Sequence, residues 1–504
     1  MPLKHTEWVQ KEIDLLEQAG IIVRSVSPWA SPIVVVPKKS EPGEPPRRRL
    51  CVDYRMINSL LPPVTKAHSK AKGVLTLVPL PKIDEIYAKL RGSKVYSTFD
   101  MRSGYYHMGL SQGSQPKSAF VIGGPQGGKF EFKVCPFGLA QAPAYFQRLV
   151  SEVLKGLPFA FGYLDDILIF SPDEDTHLDH IKILFDRLRH ADLKLKESKC
   201  NFFKKHVQYL GHFISGEGIE PVPEKLESIR KMPSPKTPKE VKQFLGLIGY
   251  YRKFVPRFAD IARPLTSLTK KDIVFEWTKI CEDTFQLLKL KLLEEPILKY
   301  PDPNKPYTLY TDASKVAWAC VLTQMYEYEI DGQVKKIYHP ITYASGLFRG
   351  SQLNWATLTK EAYAIYMSVK KLAYYLEDAE ITLRSDHKPL LKFLQKNTLN
   401  TKVNNWAVEI SPFRIKFEHI EGIKNTLADT MSRLIQIMPD IKPEQEPEGY
   451  EYGYNVFEAL EPIDCEINEV TTRDQKIPNI PIDDEPIIPW KINHEELKEN
   501  QGGR

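Results

Sequence analysis

Seven carboxylates occupy places where an acid is not explained by solubility alone. Asp165 and Asp166 interrupt FGYLDDILIF (161–170), which is apolar on both sides of the pair. Two adjacent acids inside a buried run are costly unless a cation or a hydrogen-bonding partner offsets them. In a straight strand they would face opposite sides of the sheet. A tight hairpin turn at the pair would relax this and present one or both at a sheet end. Asp100 closes another β-branched, aromatic run, KVYSTFD (94–100), and would converge there. Three carboxylates at one sheet edge suit two divalent cations, the arrangement that activates a hydroxyl for attack on a phosphate and steadies the leaving oxygen. A second set lies further on: Asp312 in YTDAS, Glu361 in LTKEAYAI, Asp386 after EITLRS, and Asp429 in KNTLADTMSR. Taken singly, an Asp-Asp pair reads as a solvated turn, and each of the other four as a surface or capping acid. The signal lies in the sets.

The elements that must position these acids alternate between β and α patterns. TEWVQKEIDLLEQAG (6–20) spaces its apolar residues as an amphipathic helix that stops at Gly20. SPIVVVPKK (31–39) and LCVDYRMIN (50–58) read as strands around the basic loop SEPGEPPRRR (40–49), a flap able to close over an anion. PAYFQRLVSEVLKGL (143–157) and THLDHIKILFDRLRHADLKL (176–195) read as helices, the first with Pro143 in its first turn, and QYLGHFIS (208–215) as a strand. This is a mixed α+β order built on an antiparallel sheet. From about 216 to 300 the pattern turns helical, with TPKEVKQFLGLIGYYRKFVPRF (237–258) and EDTFQLLKLKLLEEP (282–296). The proline-studded YPDPNKP (300–306) marks a boundary. A new β-rich unit begins at YTLYTDASKVAWACVLTQ (307–324). Its long helix is TLTKEAYAIYMSVKKLAYYL (357–376), and EITLRSDHKPLLKFL (380–394) reads as strand, turn, helix.

A chain of 504 residues is too long for a single core. Its 42% hydrophobic and 26% charged content excludes wholesale disorder. No apolar stretch approaches the ~18–20 residues of a membrane span, and the charged start carries no signal core. The six scattered cysteines, with no CxxC pair, argue against a disulfide framework or a structural zinc. The net charge of +5 conceals an asymmetry. Residues 436–504 hold 17 acidic and 6 basic side chains, so the preceding 435 residues carry a net +16. Such a body suits a polyanionic partner such as nucleic acid, although charge alone equally describes a merely basic soluble protein. The acidic, Pro-rich tail reads as disordered, the alternative being a small acidic subdomain.

In their order and spacing, FDMRSGYYHM (99–108), CPFGLAQAPAYFQ (135–147), FGYLDDILIFS (161–171) and YLGHFIS (209–215) resemble the reverse transcriptase of gypsy-type long-terminal-repeat retrotransposons (metaviruses). The resemblance takes in SPWASPIVVVPKK, RRRLCVDYRMIN and GLIGYYRKFVP, and covers about 425 residues. It implies an α+β multidomain fold: a right-hand polymerase of fingers, palm and thumb followed by a ribonuclease H-like α/β domain. The expected limits are 1–215 for fingers and palm, 216–300 for thumb and linker, 301–436 for ribonuclease H, and 437–504 for the tail.

Carried over residue by residue, the family's polymerase triad falls on Asp100, Asp165 and Asp166, the first two as main metal ligands. Tyr105 matches the position beneath the incoming sugar; the alternative makes Tyr105 a core aromatic and Tyr106 the exposed ring. Arg49 and Lys38 (or Lys39) match triphosphate contacts. Phe137 and Gly138 match the nucleotide pocket, and Tyr209, Leu210 and Gly211 the turn that grips the primer end. Gly246 and Tyr250 match the thumb helix along the duplex, with core packing as the alternative. Asp312, Glu361, Asp386 and Asp429 resemble the ribonuclease H metal cage. Asn425 would orient Asp429 or cap its helix. His419 reads as a core or strand-surface residue rather than a mobile catalytic histidine, because EHIEGIKNTLAD is short.

The implied activity is RNA- and DNA-directed DNA synthesis with degradation of the RNA strand of the hybrid. It would use Mg²⁺, two per site, with Mn²⁺ as a substitute. The implied partners are an RNA template, a DNA primer, the RNA/DNA hybrid and deoxynucleoside triphosphates, with no membrane. Rival readings are a catalytically dead, host-retained nucleic-acid-binding protein and a DNA-only polymerase. No protease DTG/DSG box, HHCC finger or integrase core is present, so the chain is expected to be a processed product or fragment of a Pol polyprotein. The tail would then be a spacer toward an integrase. The expected location is cytoplasmic, within virus-like particles, with a later nuclear stage.

Overall fold

A computed structural model of the chain describes residues 6–37, 48–60, 81–123, 127–271, 273–294, 297–330, 333–387, 389–390 and 401–420. Lys38, Lys39, Asn425, Asp429 and the acidic tail lie outside these residues.

Four sheets carry the architecture. The N-terminal sheet runs Ile22–Arg24, Gly128–Phe132, Phe120–Ile122, Ser31–Pro37, Arg48–Val52. The helix Thr6–Gln18 packs beside it through Val9, Ile13 and Leu16, and ends at Gly20, whose φ of +68° only glycine adopts cheaply. Ser31–Pro37 and Arg48–Val52 pair antiparallel, as the flap reading requires. The strand expected over 50–58 stops at Val52, however. Asp53 accepts from the backbone and side chain of Arg55, and this local bonding turns the chain into the short helix Arg55–Ser59.

The central sheet runs Ala160–Tyr163, Asp166–Ser171, Val95–Asp100, Asn201–Lys204. The helices Ala142–Val153 and Glu174–His190 pack on it through Phe146, Leu149 and Val150 and through Ile181, Leu184 and Leu188. Ile167, Leu168, Ile169 and Phe170 are all buried, so the strand is covered on both faces, which is why its sequence does not alternate. Asp173 caps the second helix by accepting from the Thr176 amide at 2.8 Å.

QYLGHFIS forms two strands rather than one. His206–Tyr209 and His212–Ser215 fold back on each other and, with Ile219–Pro221, make a three-stranded sheet. Leu210 (φ +44°) and Gly211 (φ +69°) make the turn.

The helical unit that follows holds Pro223–Arg230, Pro238–Tyr250 and Lys279–Leu293 around Val241, Phe244, Phe285, Leu288 and Leu292. Thr237 and Thr278 cap the last two helices. The helix expected over 237–258 ends at Tyr250. Pro256 has no N–H and holds Val255 extended, and the chain continues as a 3-10 turn, Arg252–Phe254, and a short helix, Phe258–Ile261.

The C-terminal sheet runs Gln333–Leu347, Ala317–Ile330, Tyr307–Ala313, Glu380–Ser385, Arg414–His419, the first three antiparallel and the last two joined in parallel. The helix Thr357–Lys371 lies across one face through Ala362, Ile365 and Val369. No helix among the described residues is long and apolar enough to cross a membrane.

Two candidate carboxylate sites

The first site forms where the central sheet ends. Asp100 and Asp166 are cross-strand partners, and Asp165 lies in the turn between Tyr163 and Asp166. Leu164, at φ +52°, reverses the chain there. This is the hairpin that relieves the opposite-face problem of a straight strand. Gln147 holds it. Its amide donates to the Gly162 carbonyl at 2.9 Å and its oxygen accepts from the Leu164 N–H at 2.8 Å, while the side chain itself is buried. Gly162 packs so tightly under the same helix that a Cβ would run into Val150 and Leu154. The Met101 N–H donates to the Asp165 carbonyl at 2.8 Å and ties the turn to the strand of Asp100.

Three acids so close repel one another. Burial, then the Asp165 and Asp100 carboxylates, push Asp166 up to about 6. Lys199 Nζ sits 2.7 Å from Asp100 Oδ2 and supplies one positive charge. The cluster remains short of positive charge, and three oxygen-donor side chains at a sheet end match the donor set a hard divalent cation takes. Among the described residues no three acids close into a ready coordination shell, so a cation would have to draw them together.

Beside these acids is an aromatic cluster. The Tyr105 ring lies 5.1 Å from Phe137 and 5.6 Å, edge to face, from Phe146. Burial, with the Asp165 carboxylate second, pushes its phenol up to about 12. The Arg49 guanidinium lies over the Phe137 ring at 5.6 Å. Gly138 (φ +100°) leaves space that a Cβ would close against the Val52 carbonyl at 3.3 Å. Asn58 pins this loop, donating to the Gly138 carbonyl at 2.9 Å and accepting from the Ala140 N–H at 3.1 Å. Tyr106 is half-buried too, but packs toward Phe132 and Phe137.

Tyr209 is buried and its hydroxyl donates to the Asp166 carbonyl at 3.2 Å. The Leu210–Gly211 turn is held from the helical unit: the Tyr250 hydroxyl donates to the Leu210 carbonyl and the Tyr251 hydroxyl to the Gly211 carbonyl. Tyr250 is 41% exposed, and Gly246 is exposed with open space where a Cβ would stand. Neither is a core residue.

The second site lies at the end of the C-terminal sheet. Asp312 is near the end of its strand, Asp386 directly follows Glu380–Ser385, and Glu361 comes from the covering helix. Glu361 is 5% exposed, and its Oε2 has no hydrogen-bond partner. Burial first, then Asp312 and Asp386, push its carboxyl up to about 9. Asp312 is raised by burial and lowered by Arg257, whose Nη1 is 3.1 Å from Asp312 Oδ2. A buried carboxylate oxygen left bare among like charges fits a cation-binding role. The His419 ring meets the Asp386 carbonyl at 3.1 Å from its strand.

The sequence reading did not single out Gln147, Asn58, Lys199 or Arg257. Gln147 was legible as a lone amide on the apolar face of PAYFQRLV. The contacts of the other three to the sites gave no local signal, because their partners lie 80 or more residues away for Asn58, 99 for Lys199, and on the C-terminal sheet for Arg257, whose pairing with Asp260 alone is local.

Comparison with known proteins bears on both sites. Residues 36–214 match the family "Reverse transcriptase (RNA-dependent DNA polymerase)", and residues 302–413 the "RNase H-like domain found in reverse transcriptase". The chain is 36% identical over 438 residues to the retrovirus-related Pol polyprotein from transposon 297 of Drosophila melanogaster, covering 86% of this chain and 39% of the relative. It is 30% identical over 486 residues to the transposon Tf2-3 polyprotein of Schizosaccharomyces pombe, covering 95% of this chain and 34% of the relative. The chain thus spans about two-fifths or less of these relatives. A solved structure of the foamy viral protease-reverse transcriptase in complex with an RNA/DNA hybrid shares the fold. Its TM-score is 0.69 at 24% identity, over 90% of this chain and 57% of that one.

Proposed function

Because the chain belongs to the family of retrovirus-related Pol polyproteins and carries their reverse transcriptase and RNase H-like domains, we propose that it converts retrotransposon RNA into double-stranded DNA by two activities at two separate sites. The observation that carries this reading is the presence of two carboxylate clusters, one in each matched domain, the first beside an aromatic cluster on which the Arg49 guanidinium lies. The proposed domain limits are 1–215, 216–300, 301–436 and 437–504.

At the first site, Asp100, Asp165 and Asp166 would hold two divalent cations, Mg²⁺ or in its place Mn²⁺. At the second, Asp312, Glu361, Asp386 and Asp429 would do so. When bound, such cations make a hydroxyl or water a better nucleophile and neutralise charge on the phosphate. The chain's own residues do the rest. Tyr105 supports the sugar of a deoxynucleoside triphosphate, Arg49 and Lys38 meet its phosphates, and Phe137 and Gly138 shape the pocket around it. The Tyr209–Leu210–Gly211 turn bears on the primer end, and Gly246 and Tyr250 present the helix Pro238–Tyr250 to the duplex. The net +16 of the first 435 residues suits template, primer and hybrid. The solved neighbours in complex with RNA/DNA hybrid and with double-stranded DNA support the same substrates.

The test is primer extension on an RNA template with deoxynucleotides and Mg²⁺, followed by cleavage of a labelled RNA strand in a hybrid. Both are expected. Binding of nucleic acid with neither reaction would favour a non-catalytic binding protein.

A further inference from the structure

The second site has a component that comes from the other half of the chain. After Pro256, Arg257 takes a left-handed conformation (φ +50°) that side chains other than glycine adopt only at a cost. It is also 7% exposed, and a buried guanidinium demands acceptors. It finds two. Nη2 is 2.7 Å from Asp260 Oδ2, within its own segment, and Nη1 is 3.1 Å from Asp312 Oδ2, across the joint. Asp260 is as buried as Arg257, so the arginine is anchored on its own side before it meets Asp312.

The segment around it is seated on the C-terminal sheet. Arg252 donates to the Ser345 carbonyl, and the Ala259 N–H donates to the Ser345 hydroxyl at 3.0 Å. Tyr343, two residues before on the same strand, packs against the core of the helical unit. The strained backbone, the buried ion pair and the seated segment converge on one carboxylate of the cluster.

We infer that Arg257 is a positioning residue for the RNase H-like site: anchored on Asp260, it fixes the Asp312 carboxylate from the polymerase side, so that hybrid cleavage depends on the seating of residues 252–260 against Ser345. This rests on the reading of that site as hydrolytic. Arg257 bridges two acids with separate nitrogens of one rigid planar group, Nη2 on Asp260 and Nη1 on Asp312, so the anchor on Asp260 sets where the Asp312 carboxylate is held, and partners that orient a metal-binding side chain typically contribute 10- to 100-fold to activity.

The experiment uses the full chain with Arg257→Lys, Arg257→Met and Asp260→Asn. Arg257→Met is expected to slow single-turnover hybrid cleavage by about 10- to 100-fold, with hybrid affinity and primer extension unchanged. Arg257→Lys should fall in between, and Asp260→Asn should move in the same direction. A readout independent of turnover is a double-mutant cycle on unfolding midpoints without metal: Arg257→Met should lower the midpoint less in an Asp312→Asn background than in the wild type. Cleavage by Arg257→Met at or above the wild-type rate, or additive midpoints, overturns the inference. If Arg257→Met does not fold, wild-type cleavage by Arg257→Lys does so. A wild-type chain that extends primers and never cuts hybrid overturns the hydrolytic reading, and this inference with it, whereas a wild type that cuts beside an Arg257→Met that cuts equally well overturns the inference alone.

Discussion

Asp100 and Asp166 stand directly opposite each other across two antiparallel strands, and the second is pushed up to about 6 by burial and by its acidic neighbours. The opposition is fixed by register, since a one-residue slip would move every side chain of Asp166–Ser171 to the opposite face of the sheet, where it would meet the wrong packing partners. Asp312, Glu361 and Asp386 form a separate group on a separate sheet.

From this separation, Asp165→Asn should abolish DNA synthesis and leave hybrid cleavage largely intact, and Asp386→Asn should do the reverse. Paired primer-extension and hybrid-cleavage assays on folded protein decide it. Loss of both activities from either change would contradict two independent sites.

The Tyr105 ring lies beside Phe137 and near Asp165. If it lies under the sugar, discrimination against a 2′-hydroxyl is steric. Tyr105→Phe should keep the preference for deoxynucleotides. Tyr105→Val should admit ribonucleotides with some loss of rate, because the ring also positions the sugar. The ratio of incorporation efficiencies for the two sugars measures it, and an unchanged ratio in an active Tyr105→Val enzyme would count against the assignment.

Gln147→Leu would leave the Leu164 N–H and the Gly162 carbonyl without their partner. One buried and one part-buried group so orphaned cost roughly 2–6 kcal/mol together. The expected result is a lower unfolding midpoint and a severe loss of primer extension, with hybrid cleavage retained. A Gln147→Leu enzyme extending primers like the wild type would show that the turn holds its shape unaided.

His177 is fully buried, between the hydroxyls of Ser97 and Ser171 at 2.7 Å each, and burial with His180 beside it lowers its pKa to about 4. An unfolded histidine titrates near 6.5. Below that pH the unfolded chain gains a proton that the folded one refuses, so stability falls between about 6.5 and 4 and levels off beneath. The full effect is roughly 3 kcal/mol at about 1.4 kcal/mol for each tenfold change in proton affinity. Unfolding curves across this range should be flatter for His177→Gln, and equal slopes would refute the burial argument.

What the sequence made legible follows from where the physical signal resides. The aspartates of YLDD announce themselves because an acid in an apolar run needs a reason, and Asp100 because it ends a strand. The long helices were legible from their apolar spacing, whereas the Asp173 and Thr278 caps lie before the starts expected at 176 and 282. The breaks were harder to place. Leu164 and Leu210 reverse the chain at positive φ without being glycine, so one hairpin was inferable only from its acids and the other read as a single strand. The Asp53–Arg55 bonding that ends a strand, and the turn that follows Pro256, depend on side-chain geometry that hydropathy does not encode. Asn58, Lys199 and Arg257 gain meaning only when distant segments meet.

The Leu210–Gly211 turn has a mechanical consequence. Two adjacent tyrosines of the neighbouring helical unit bond to its two carbonyls, and the Gly211 Cα lies so near the Tyr250 ring that a Cβ would stand 3.0 Å from it. The turn and the end of the helix Pro238–Tyr250 are therefore geared together. A swing of that helix would drag the turn along like a pawl fixed to its lever, and the pull would reach the carboxylates through Tyr209, buried in the same core as the helix and bonded to the Asp166 carbonyl.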